Sequence, residues 1–117
     1  MLLVTALLVP SRGFAHEPRV GPHGGTLVDA GAYPVEITIK RTTVDVYLSD
    51  GADKPVPATG FKGTVVLAVD GKSQRIVLVV ADTNRLTGQS PIAGSGPPKG
   101  AILITGPDGK TAQARLN

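Results

Sequence analysis

Along most of the chain apolar and polar residues alternate one by one, the period of a strand with one face buried. In YPVEITIK (33–40), Tyr33, Val35, Ile37 and Ile39 fall on one side and Pro34, Glu36, Thr38 and Lys40 on the other. TVDVYLS (43–49) sets Val44, Val46 and Leu48 against Asp45 and Tyr47 in the same way. The stretches 25–30, 63–69, 73–81, 101–106 and 110–116 read as further strands, and one short strand is expected at 85–88. No segment carries a 3.6-residue repeat.

The connections reinforce this reading. Only Arg41 and Thr42 separate the strands at 33–40 and 43–49, which predicts a tight hairpin. Asp70-Gly71 predicts another, because this pair tolerates positive φ. Pro107-Asp108-Gly109 predicts a three-residue loop with glycine at the left-handed position. Longer loops rich in Gly and Pro are expected at 50–63 and 84–100. Seven or eight short strands joined by turns imply an all-β fold, an antiparallel immunoglobulin-like β-sandwich, with a small β-barrel as the alternative.

Composition narrows the picture. A chain of 117 residues has room for one domain, and an aromatic content of 3% against 41% hydrophobic requires an aliphatic core. Cysteine is absent and Met1 is the single methionine, which excludes disulfides, thiolate nucleophiles and thiolate metal sites. A metal would be held by imidazole, carboxylate, amine or backbone oxygen, which favours Cu(II) or Zn(II) over Cu(I). The net charge of +3 is spread singly except at Lys40-Arg41, without the aromatic-lined basic stripe of a nucleic-acid binder.

Residues 1–15, MLLVTALLVPSRGFA, have the apolar run and small closing residue of a signal peptide, although the basic start of such a peptide is missing. The run is too short to span a bilayer as a helix, so stable membrane insertion is not expected; the alternative is a buried first strand. Cleavage after Ala15 gives a periplasmic or secreted protein beginning at His16. The expected organisation is a leader at 1–15, a linker carrying both histidines at 16–24, and the β domain at 25–117.

Enzymatic activity is not expected. No G-x-S-x-G elbow or phosphate loop leading into a helix occurs, and most aspartates occupy turn positions. Candidate chemistry is confined to AHEPRVGPHGG (15–25), which holds the two histidines. A terminal His16 offers amine and ring nitrogen to one metal, His23 adds a second imidazole, and Asp29, Glu36 or Glu17 offers an oxygen. With Asp29 opposite Tyr33, Thr26 faces Glu36, and Glu36 reaches His23 only through a bulge at Gly24-Gly25 or a different pairing. The competing reading makes both histidines incidental residues of a linker and a turn.

His23-Gly24-Gly25, then Glu36 and the strand and turn VYLSDGADKPV, resemble a group of small exported all-β proteobacterial proteins. The opening is similar to that of heavy-metal efflux periplasmic adaptor proteins, and the likeness extends over about residues 21–116. It implies that His23 and Glu36 matter most; Pro34 stands where related segments often carry histidine. The exposed terminal histidine also resembles that of periplasmic copper-resistance β-sandwich proteins. The resulting expectation is a carrier of Cu(II) or Zn(II) that serves a heavy-metal efflux system or another periplasmic protein. The alternative is a metal-free accessory domain that binds a protein partner through a sheet edge or the 84–100 loop. A sugar-binding role is disfavoured, since only Tyr33, Tyr47 and Phe61 offer stacking rings.

Overall fold

The alternating segments become strands within a residue or two of their expected limits. The computed structural model describes residues 19–93 and 97–116, so the expected leader and His16 lie outside the described residues. Among the described residues nine strands form: β1 (Arg19–Val20), β2 (Thr26–Ala30), β3 (Tyr33–Lys40), β4 (Thr43–Leu48), β5 (Lys62–Val69), β6 (Lys72–Asp82), β7 (Arg85–Gln89), β8 (Gly100–Thr105) and β9 (Thr111–Arg115). The strand beyond the expected count is β1, in the stretch read from sequence as a linker.

All pairings are antiparallel, in the single order β1-β2-β3-β4-β7-β6-β5-β8-β9. β6 joins the two halves: Lys72–Leu78 pair with β5, Val79–Asp82 with β7, with a bulge between Val80 and Asp82. The sheet curls until β2 lies against β9, although no ladder joins those strands among the described residues. The result is an all-β half-barrel, one curled antiparallel sheet among the described residues. Among the described residues no helix is long and apolar enough to cross a membrane.

The inward set is the predicted aliphatic one. Val35, Ile37, Val44, Val46, Leu48, Val65, Ile76, Leu86, Ile102 and Ile104 are buried. Phe61 is the aromatic member of the core, edge-on to Tyr33 with centroids 5.4 Å apart.

The predicted hairpins at Arg41-Thr42 and Asp70-Gly71 form, pairing Lys40 with Thr43 and Val69 with Lys72. Between β2 and β3 the turn is Gly31-Ala32, with Ala30 opposite Tyr33. That corrects the expected pairing of Asp29 with Tyr33 by one residue. Gly31 has φ 59°, and a positive φ at the first central position alone is what a type II′ turn asks of glycine. The offset places Leu27, not Thr26, opposite Glu36, and a one-residue offset changes which neighbour shares a face.

Candidate functional site

Gly21-Pro22-His23-Gly24-Gly25 forms a hairpin loop between β1 and β2. The Gly24 amide donates to the Gly21 carbonyl at 3.0 Å, and the Gly21 amide to the Gly25 carbonyl at 3.0 Å. Proline is suited to the second position of such a turn, and Gly24, at φ 78°, supplies the left-handed residue that closes it. The loop therefore folds back over the outer face of β3, where Glu36 stands.

Glu36 points away from the core yet is only 2% exposed, because this loop covers it. Its Oε2 accepts the backbone amides of His23 and Gly25, each at 2.8 Å. Its Oε1 lies 2.7 Å from His23 Nδ1. A buried carboxylate is costly unless its lone pairs meet donors, and here three N–H groups converge on it. The fit leaves no room for side chains: a Cβ on Gly21 would overlap the Glu36 carboxyl carbon, and one on Gly25 the carbonyl oxygen of Ile37.

The ring of His23 lies flat on Tyr47, with centroids 3.7 Å apart and planes 9° from parallel. Tyr47 is the cross-strand partner of Glu36, so β3 and β4 together present the carboxylate and the ring that fix the imidazole. An ionised carboxylate only accepts, so the 2.7 Å contact places the proton of the neutral ring on Nδ1 and leaves the lone pair on Nε2. The His23 side chain is 45% exposed, which keeps the ring accessible to a ligand.

The acidic side chains Asp29, Asp45 and Asp82 also meet basic partners. Arg85 bridges Asp45 at 3.0 Å and Asp82 at 2.8 Å. Its hydrogen bond to Asp82, then the field of Asp45, raise the guanidinium pKa further, and the same bond holds the Asp82 carboxyl below its ordinary value. Asp29 lies 3.6 Å from Arg19.

Of the sequence-predicted residues, the structure thus brings His23 and Glu36 together, sets Asp29 beside Arg19, and leaves His16 outside the described residues. Glu36 spends its oxygens on the loop and on Nδ1, which makes it an orienting group for His23. Among the described residues no three His, Cys, Asp or Glu side chains group as metal ligands. From sequence Tyr47 reads as a strand residue and a sugar-stacking ring, although a two-residue turn at Arg41-Thr42 already sets it opposite Glu36.

The chain matches no protein-family model, no curated protein and no solved structure.

Proposed function

We propose that the chain binds a divalent transition metal, Cu(II) ahead of Zn(II), with Nε2 of His23 as the ligand supplied by the folded domain. The observation that carries this reading is the 2.7 Å contact between His23 Nδ1 and Glu36. A histidine that ligates metal commonly donates its other ring N–H to a carboxylate, which sets the tautomer and raises ligand basicity. Tyr47 restricts the ring further. The terminal amine and imidazole of a chain beginning at His16 would supply the other nitrogens, and three nitrogens suit Cu(II). The role is carriage, buffering or delivery to an efflux system in the periplasm or outside the cell, by exchange rather than turnover. The likeness of the HGG…E opening to heavy-metal efflux adaptors supports that setting. We also read the facing halves of the curled sheet as an immunoglobulin-like sandwich sharing β6, a reading supported by the packing of β2 on β9.

Calorimetric Cu(II) titration of the chain beginning at His16, its terminus verified by intact mass, tests the proposal. One sub-micromolar site, lost in His23→Ala and on acidification that protonates imidazole, is the expected result. Binding no tighter than that of any exposed histidine would overturn it.

The edge strand β1, whose Val20 is 81% exposed, favours a second reading, a metal-free accessory domain that binds a protein partner through a sheet edge. Partner binding of that kind would survive both the histidine substitution and acidification.

A further inference from the structure

The outer face of β5, β6, β8 and β9 is built unlike that of the other half. Three of its cross-strand rows are Arg75–Val66–Ala101–Arg115, Val77–Thr64–Leu103–Gln113 and Lys62–Thr105–Thr111, and Val79 follows Val77 on the same face of β6. The middle is aliphatic, and Val77 and Val79 stand in solvent. The rim is cationic: Lys62, Arg75 and Arg115 are exposed, and none makes a salt bridge among the described residues. No carboxylate occupies any of the three rows. On the opposite half, by contrast, Asp29, Asp45 and Glu36 each lie against a basic partner.

We propose that this face is a docking surface for an anionic phospholipid bilayer. Its charge is complementary to phosphate headgroups, and its aliphatic centre suits a shallow apolar layer. Long cationic side chains can lay their stems on such a centre while their heads meet phosphate. A protein partner is less well matched. Interface hot spots are built from Trp, Tyr and Arg set in pockets, whereas this centre is Val, Ala, Leu and Thr on a sheet surface. Adsorption of this kind requires no membrane-spanning segment.

Co-sedimentation of the full chain with vesicles of phosphatidylglycerol in phosphatidylcholine, and with phosphatidylcholine alone, tests the proposal. Binding is expected to the anionic vesicles, to fade as salt screens the charges, and to weaken about fivefold for each of Lys62→Gln, Arg75→Gln and Arg115→Gln. Val77→Asp abolishes it. Arg41→Gln makes the same change in net charge at the β3–β4 turn and leaves binding intact. Because the glutamine substitutions fall on exposed positions, they keep the fold and so read the surface alone. Equal partitioning onto both vesicle types would overturn the proposal, as would equal losses from Arg41→Gln and Arg75→Gln. A chain dimer in sedimentation velocity that Val77→Asp dissociates would also overturn it, by assigning the face to a second copy.

Discussion

Glu36 caps the amide of Gly25 at 2.8 Å as Asp108 caps the amide of Lys110 at 2.9 Å, in two loops with the same backbone pattern. In 106–110 the Gly109 amide donates to Gly106 and the Gly106 amide to Lys110, position for position as in 21–25. A third loop, 50–54, repeats the pattern, with Asp53 left-handed at φ 62° and Asp50 accepting from the Lys54 amide at 3.0 Å. In all three loops the fifth residue's amide meets a carboxylate. Only in the first does that carboxylate come from another strand and lie buried, and the position occupied by Asp108 in its own loop is then released to His23.

Replacing Glu36 with glutamine separates its two duties. One oxygen remains for the amides of His23 and Gly25, while an NH2 group faces Nδ1. Two donors cannot share that contact, so the ring proton moves to Nε2 and Nδ1 becomes the acceptor. We expect Glu36→Gln to cost about 1–3 kcal/mol of stability, the value of a charge-assisted buried bond, and about 10–100-fold in metal affinity. Imidazole nitrogen shifts by NMR report the tautomer, and calorimetry the affinity. Unchanged metal affinity with the proton on Nε2 would remove Nε2 as the ligand.

The glycines of the same loop differ in what they avoid. A Cβ at Gly24 meets nothing within 4 Å, so Gly24→Ala suffers only from its left-handed backbone, about 1 kcal/mol. Gly109→Ala, with φ 84° and equally open surroundings, should match it. At Gly25 the obstacle is the carbonyl oxygen of Ile37, which is backbone and cannot rotate aside. Gly25→Ala is expected to cost about 3 kcal/mol, the upper end for overpacking. Urea denaturation of the three variants orders them; equal losses at Gly24 and Gly25 would show that the loop relaxes.

Much of the fold was legible because a period of two specifies which side chains turn inward, and Asp70-Gly71 and Arg41-Thr42 fix two registers directly. The curl was not, since alternation says nothing of whether a sheet stays in two layers or bends through one long strand such as β6. The site was half legible. His23 and Glu36 stand out by type, but the hairpin that joins them reads as a linker although GPHGG repeats the pattern of GPDGK. A histidine where the second loop has aspartate hid the likeness, and the compensating carboxylate lies eleven residues beyond Gly25, on β3. The expected pairing of Asp29 with Tyr33 leaves three residues in the turn, whereas Ala30 pairs with Tyr33 and the turn is the two residues Gly31-Ala32.

Asp50 makes the stability of its own loop depend on pH. The Lys54 amide, then that of Ala52, hold its carboxyl below the ordinary aspartate value of 3.8. A carboxyl whose pKa is depressed by folding stabilises the native state above its unfolded pKa, and that contribution is lost as pH falls through the lower folded value. Asp50→Asn is therefore expected to reduce the denaturation midpoint at neutral pH and to have a much smaller effect at pH values well below 3.8, where the carboxyl is protonated in both states. Equal losses at both pH values would show that the amide bonds do not depend on the charge.

Tyr47 allows the stacking of His23 to be tested apart from the carboxylate. Its ring covers one face of the imidazole at 3.7 Å, and among the described residues its hydroxyl makes no hydrogen bond into the site, so the aromatic face is what matters. Tyr47→Phe keeps that face and should leave both stability and metal affinity near the parent values. Tyr47→Leu keeps a large apolar residue on β4 but removes the flat partner; a loss of about 1 kcal/mol is expected, the usual value of an aromatic pair beyond its buried area. The carboxylate contact to Nδ1 survives this change, so the tautomer stays while the ring gains freedom to tilt. Metal affinity should then fall less than in Glu36→Gln, with the NMR signature of Nδ1–H retained. If Tyr47→Leu instead shifts the proton to Nε2, stacking rather than the carboxylate selects the tautomer, and the ordering role passes from Glu36 to Tyr47.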